Sequence, residues 1–394
     1  MSRAMALVGA AAVTAVATSL LTVPASAHPG HPRPGVRLIG EQRVPNGLVF
    51  QGTTVGGLSG IDRDPRTGGY VLISDDRSDR QPARFYTARF DVTAHGLGPV
   101  TFTGTSPFRR PDGATYPPLS TGDGTTVDPE DIRVDPWTGD YTWSQEGERR
   151  PGVLIDPSIR TARRDGTFAR ELPLPANLRM TADRGPRQNL VLEGLTYAAA
   201  GTLVVSTVEG PLLQDGPEAT PEHGALSRIV VQTREGRQLA QYAYPQEPVF
   251  AKPVPATGFA TTGVTAILAV DPLDPSRFLV LERSFVTGVG NKVRVYLVET
   301  AGASNVANRD LADATGVRPV RKRLVADLAD LGLSTLDNIE GMTWGPTLRG
   351  GERTLLLVSD DNFAATQVTQ LVALGVRLET RMRNGLDVAS RLGG

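Results

Sequence analysis

The 394-residue chain has no cysteine. That excludes disulfides, thiolate nucleophiles, Cys-ligated zinc and iron–sulfur clusters. Histidine is scarce, with four residues in all. Neither charge is in excess: 41 bases face 42 acids, for a net charge of -1. A nucleic-acid binder or a polybasic membrane module would show an imbalance, so neither partner is expected. Lysine occurs only at Lys252, Lys292 and Lys322; the other bases are arginine, a bias given no functional weight. Beyond the first residues no run approaches the ~18 apolar residues of a membrane span, so stable membrane insertion is not expected. There is no G-x-x-x-x-G-K-[ST] phosphate loop. Gly288-Val289-Gly290 lacks a dinucleotide-site context, and Gly57-Leu58-Ser59-Gly60 is not a nucleophile elbow.

Gly 43 and Pro 30 make the chain turn-rich, which disfavours a helical bundle, while 40% hydrophobic residues suffice for a core. At the N-terminus Arg3 precedes an Ala/Val/Leu-rich stretch to Leu21, and Ala25-Ser26-Ala27 supplies a small-residue cleavage site. Residues 1–27 are therefore expected to be a signal peptide, and the mature protein to be secreted. Residues 28–35, rich in Pro and Gly, read as a flexible leader, with His28 and His31 too few for a metal tract. Residues 36–394 are expected to form one domain.

A unit repeats five times: apolar strand, turn, apolar strand, acid. The first copy runs from Gly57 through the turn Asp64-Pro65-Arg66-Thr67-Gly68 to Tyr70-Val71-Leu72-Ile73-Ser74-Asp75-Asp76. Later copies start near Asp128, Leu192, Val264 and Ile339. Ser59 to Asp75, Glu130 to Glu146, Glu193 to Glu209 and Ala266 to Glu282 are each 16 apart; Glu340 to Asp360 is 20, with the surplus in a longer turn. Each copy predicts a β-hairpin, with Asp opening and Gly closing the turn. Further strands follow at residues 83–90, 227–231 and 292–298. Repeated four-stranded sheets predict an all-β fold, a β-propeller of five to six blades. Thr369 to Leu378 reads as the last strand, and Gly35 to Phe50 is expected to complete that sheet and close the ring. Ala303 to Leu333 is expected to be partly helical.

A hairpin returns to the end at which it began. Residues flanking it therefore converge on one face of a propeller. Ten acids would gather there: Glu130, Glu193 and Glu340 from first strands, and Asp75, Asp76, Glu146, Glu209, Glu282, Asp360 and Asp361 from second strands. At ~4 Å and an effective dielectric near 20, each like-charged pair costs roughly 4 kcal/mol. Protonation, neutralisation by Arg, or a bound cation can relieve this. Oxygen ligands without Cys select Ca²⁺ or Mg²⁺, and flexible loop ends favour Ca²⁺. The expected metal ligands are Asp75, Glu130, Glu146, Glu193, Glu209, Glu282, Glu340 and Asp360. Asp64, Asp135 and Asp271 sit at the turns and read as structural. Trp137, Trp143 and Trp344 read as blade packing, and His95 and His223 as surface loop residues.

Six motifs in order resemble one exported bacterial family. They are Gly57-Leu58-Ser59-Gly60, Ser74-Asp75-Asp76 with Ala83-Arg84-Phe85-Tyr86, Asp128-Pro129-Glu130, Glu193-Gly194-Leu195, Leu281-Glu282-Arg283-Ser284, and Asn338-Ile339-Glu340-Gly341-Met342 with Val358-Ser359-Asp360-Asp361-Asn362-Phe363. Together, from about Gly57 to Leu374, the chain resembles the "esterase-like activity of phytase" family, the phytase-like domain. The resemblance implies a propeller, Ca²⁺ use and hydrolysis of an ester, carboxylic or phosphate, on a small molecule. Asp131 stands where the family usually has Gly, so it could crowd the rim or add a ligand, which leaves Glu130 the least secure of the first-strand glutamates. The expected catalytic groups are Glu193 and Glu340, with Arg283 as an oxyanion or phosphate clamp. Two rivals stay open: a non-catalytic Ca²⁺-stabilised binding propeller, and a metal-dependent lactonase- or dehydrogenase-type propeller.

Overall fold

The computed structural model describes residues 35–378; the predicted signal peptide, and the leader before Gly35, lie outside them. All five repeats fold as hairpins, and each grows into a four-stranded antiparallel sheet. Blade 1 comprises Leu58–Arg63, Tyr70–Ser74, Arg84–Arg89 and Thr101–Pro107. Blade 2 comprises Pro129–Val134, Tyr141–Gln145, Ser158–Ala162 and Phe168–Glu171. Blade 3 comprises Leu192–Ala198, Leu203–Val208, Leu226–Thr233 and Gln238–Pro245. Blade 4 comprises Ala260–Ala269, Arg277–Val286, Gly290–Glu299 and Arg321–Asp327. Blade 5 takes Ile339–Thr347, Arg353–Ser359 and Thr369–Val376 from the end of the chain, and Val36–Val44 from its start. The N-terminal strand pairs with Thr369–Val376, Val36 opposite Val376. This closes the ring as the sequence predicts, with five blades among the described residues.

Strand alternation explains the packing. Phe278 and Val280 point into a core shared with blade 3, while Leu279 and Leu281 point into one shared with blade 5. Both faces of such a strand are buried, so it reads as a continuous apolar run. Similar cores lie between blades 5 and 1, 1 and 2, and 2 and 3. In one of them Trp143 stacks on Phe108 at 4.2 Å. Trp137 instead lies 55% exposed on a turn. The turn acids cap their own bends: Asp135 accepts from the Trp137 and Thr138 amides, and Asp271 from Leu273.

The segment expected to be partly helical holds only a short 3-10 turn, Leu328–Leu331, after a strand. Its Leu- and Ala-rich stretch packs a sheet edge, and tertiary burial overrides helix propensity there.

Candidate functional site

The innermost strand of every blade carries a register irregularity at the same place. It falls between Leu58 and Gly60, Pro129 and Ile132, Leu192 and Leu195, Val264 and Ala266, and Ile339 and Gly341. A bulge releases a residue from the ladder and re-aims its side chain. The first residue within each irregularity is Ser59, Glu130, Glu193, Thr265 or Glu340, with Asp131 and Gly194 following in blades 2 and 3. In four hairpins the second strand ends opposite and its next residue is Asp75, Glu146, Glu209 or Asp360; in blade 4 the corresponding residue, Arg283, lies within the strand. Four of the five positions on each list follow the sequence register. In blade 4 the register is one residue off. Val264 pairs with Glu282, so Arg283 occupies the rim position.

That slip removes Glu282 from the site. Its carboxylate accepts from the Tyr244 hydroxyl at 2.5 Å, the Glu247 amide at 3.1 Å and Lys322 Nζ at 2.5 Å. Asp76 and Asp361 also turn away, because each follows a rim acid and consecutive residues face opposite ways. Asp76 binds the Asp79, Arg80 and Gln81 amides and Arg84. Asp361 accepts from the Gly57 and Phe363 amides.

The other seven acids converge. Asp75, Glu130, Glu193, Glu209, Glu340 and Asp360 line a cavity of about 900 Å³, which Arg283 also lines. Glu146 lies just behind. Carboxylate oxygens of Glu130, Glu146 and Glu193 come within 4.8 Å of one another, as do those of Asp75, Asp128 and Glu130. Asp128, which the sequence offers only as part of the Asp128-Pro129-Glu130 motif, joins the cluster. It lies two residues before Glu130, on the chain entering the same strand.

Arginine relieves only part of this charge. Arg283 Nη2 sits 3.2 Å from Glu209 and 3.4 Å from Glu340. Arg77 pairs with Asp128, and with Glu148 at 3.4 Å. Arg149 and Arg187 also line the cavity, but Arg149 is committed to the main-chain carbonyls of Pro186, Thr181 and Arg184, and Arg187 to those of Pro211 and Gly216 and to Glu218 at 3.6 Å. Burial pushes Asp75, Glu130, Glu146, Glu193 and Asp360 well above the ordinary carboxylate range, and neighbouring acids push the same way. Burial also raises Glu209, to about 7, against the pull of Arg283. Glu340 rises for the same reason, with Arg283 and Asn338 opposing.

Four buried polar atoms here have no hydrogen-bond partner: Glu146 Oε2, Thr265 Oγ1, Arg283 Nε and Asn291 Oδ1. Such orphans are uncommon in folded proteins and call for an explanation, a missing ion or ligand among them. Acid oxygens in two tight groups, one holding an orphan, form a donor set that fits a hard divalent cation. Glu146 Oε1 is already fixed by the Val191 amide at 2.6 Å, so its partner-free oxygen is held in place.

Asp131 neither crowds the rim nor joins it. It points into the ring, where Oδ2 accepts from the Leu195 amide at 2.7 Å and from Arg133 at 2.8 Å. Its equivalents in other blades are Gly60, Gly194, Ala266 and Gly341. A Cβ on Gly341 would stand 2.7 Å from the Ser59 carbonyl oxygen. Small residues are thus needed where inner strands nearly touch, and one Asp fills the space between them. Glu130, beside it, keeps its place in both acid groups. His95 and His223 lie exposed, outside the cavity lining.

Fold and site together define a five-bladed β-propeller with an acid-lined cavity at one mouth of its axis. The chain belongs to the phytase-like family, described as esterase-like activity of phytase, whose model matches residues 53–363. No curated protein matches it. Among solved structures it is similar to an exo-β-1,3-galactanase from Phanerochaete chrysosporium, at 10% identity and a TM-score of 0.43, over 86% of this chain and 64% of that one. It is also similar to a gluconolactonase from Xanthomonas campestris, at 10% identity and a TM-score of 0.32, over 79% and 70%. A glucose dehydrogenase shares 10% identity at a TM-score of 0.37, over 86% and 99%.

Proposed function

We propose that the protein is a secreted, Ca²⁺-dependent hydrolase of a small-molecule carboxylic or phosphate ester. The observation that carries this reading is the Glu130–Glu146–Glu193 group, its oxygens within 4.8 Å and Glu146 Oε2 buried without a partner. Family membership supports the ester chemistry. Export rests on the predicted signal peptide. Among the described residues no helix is long and apolar enough to cross a membrane.

Glu130, Glu146, Glu193 and Asp75 would hold the cation, with Asp128 beside them. Glu209, Glu340 and Asp360 stand near Arg283 and complete the bowl. A bound divalent cation supplies Lewis acidity and lowers the pKa of coordinated water. The chain's own groups supply the rest. Arg283 comes from blade 4, whereas the two acid groups come from blades 1 to 3. It can therefore face an ester oxygen from another side, with Nε free to donate to the charge that develops there. Glu209, whose carboxyl burial raises in the cation-free protein, stands beside Arg283 where it can hand a proton to a leaving alkoxide. Glu340 orients Arg283 from the other side and is itself anchored by Asn338 at 3.0 Å.

The test is a panel of p-nitrophenyl esters, p-nitrophenyl phosphate, phytate and lactones, run with Ca²⁺ and with chelator. Hydrolysis that chelation abolishes while circular dichroism is unchanged supports the proposal. Failure of every ester with Ca²⁺ supplied overturns it. Unfolding on chelation, with no hydrolysis, would favour a purely structural ion.

A further inference from the structure

Blade 4 differs from the others at the mouth. In blades 1, 2, 3 and 5 the second strand ends just before the rim residue. In blade 4 it runs on past Arg283 to Val286 and returns at Gly290. The hairpin therefore stands above the rim by Ser284, Phe285 and Val286. Side chains alternate along a strand, so Arg283 and Phe285 face the same way, about 7 Å apart. Both line the cavity.

The segment before blade 4 folds onto this hairpin. The Val254 amide donates to the Thr287 carbonyl, and the Thr287 amide to the Phe259 carbonyl, each at 2.9 Å. Phe259 is thereby held beside Phe285, ring centroids 6.3 Å apart. Phe259 also lines the cavity, yet is 67% exposed. Leu190 and Leu213 add further apolar surface to the lining. An aromatic pair at the lip of a charged bowl, Phe285 half-buried and Phe259 mostly uncovered by the protein's own side chains, offers binding surface.

We propose that the substrate carries an apolar aryl group beside its ester, and that Phe285 and Phe259 hold that group while the ester lies at Arg283 and the acids. This rests on the hydrolase reading above. The ring pair stands about one strand repeat from Arg283, a span that a phenyl ester matches. A hexaphosphate such as phytate has no apolar face to offer it.

The test is calorimetric titration of the Ca²⁺-loaded protein with phenylphosphonate and methylphosphonate. Both are inert and share one anionic head. The phenyl compound is expected to bind roughly 10- to 100-fold more tightly. That ratio should fall toward one in Phe259→Ala, whose ring is mostly exposed, and in Phe285→Leu, which keeps apolar bulk on the strand. Equal affinity of the two phosphonates for the native protein overturns this inference alone. So does a phenyl preference that survives both substitutions. Binding of neither, with no hydrolysis in the ester panel, overturns the hydrolase reading and this inference with it.

Discussion

Arg133 donates from Nη2 to Asp131 at 2.8 Å, deep inside the ring, and the rest of its guanidinium reaches every other blade. Nη1 donates to the carbonyls of Ile61 in blade 1 and Met342 in blade 5, at 2.7 and 3.0 Å. Nε donates to Leu195 in blade 3 at 2.5 Å, and Nη2 approaches Ile267 in blade 4 at 3.5 Å. One planar side chain thus ties five sheets at their common axis. A planar fork of five donors is the side chain best suited to that task.

Replacing Arg133 by Met should therefore be severe. It leaves the Asp131 charge buried and unpaired and removes a shared donor from the inner carbonyls. A loss of about 3–5 kcal/mol is expected, read from the urea midpoint. A loss below about 1 kcal/mol would show that the axis is held by apolar packing alone.

The acid bowl predicts an unusual pH response in cation-free protein. Its carboxyls are raised in the folded state, so the folded chain keeps protons that the unfolded chain releases. Stability is then full below the unfolded pKa, 4.5 for Glu209, and falls as pH rises toward its folded value of about 7. That group alone accounts for about 3 kcal/mol across the window. Thermal melts at stepped pH with chelator should show the decline, and millimolar Ca²⁺ should flatten it. A melting temperature that rises from pH 5 to 8 without cation contradicts this account.

Glu146→Gln should separate cation binding from folding. It replaces a carboxyl that must take up a proton in the cation-free fold by a neutral amide, so the chelated protein should melt at the same or a higher temperature. The stabilisation that Ca²⁺ gives should shrink, with affinity down roughly tenfold or more, since ligand charge sets cation affinity. Calorimetry and melting together read both signs.

Glu282→Gln should behave in the opposite way. The residue is buried with Tyr244 and Lys322, away from the cavity. A stability loss of about 1–3 kcal/mol is expected, with ester hydrolysis retained. Loss of hydrolysis in a variant that still folds would return Glu282 to the site.

Arg283→Met should lower hydrolysis by roughly 10²–10³-fold if its guanidinium faces developing charge. It also leaves Glu209 and Glu340 unscreened, so tighter Ca²⁺ binding is expected alongside the lost rate. An unchanged rate would confine Arg283 to ion pairing.

The hairpins, their order and the closing strand were legible because turn residues and apolar runs are local signals. Seven of ten rim acids followed, since position on a hairpin fixes which end of the sheet a residue reaches. What escaped was decided by single-residue shifts. A bulge leaves no mark in the alternation, and one step of register sends a side chain to the other face. Aligning Ala266 with Glu282 preserved the spacing of 16 found in three other copies, whereas the rim pair in blade 4 is Thr265 with Arg283. The axial role of Arg133 was not legible either, because its partners lie on four separate repeats. The hairpin that rises past Arg283 carried a weak signal: blade 4 has apolar and hydroxyl residues continuing to Val286, where other repeats turn acidic and glycine-rich.

The pairing of Val36–Val44 with Thr369–Val376 has a consequence for biogenesis. A ribosome makes these partners more than three hundred residues apart, so the last sheet cannot be complete until Thr369–Val376 has been made. Glu340 and Asp360 flank the inner hairpin of that sheet, so their side of the acid bowl is made after the other four blades. The acid bowl is thus closed late, in whichever compartment blade 5 first meets the strand that opens the chain's fold.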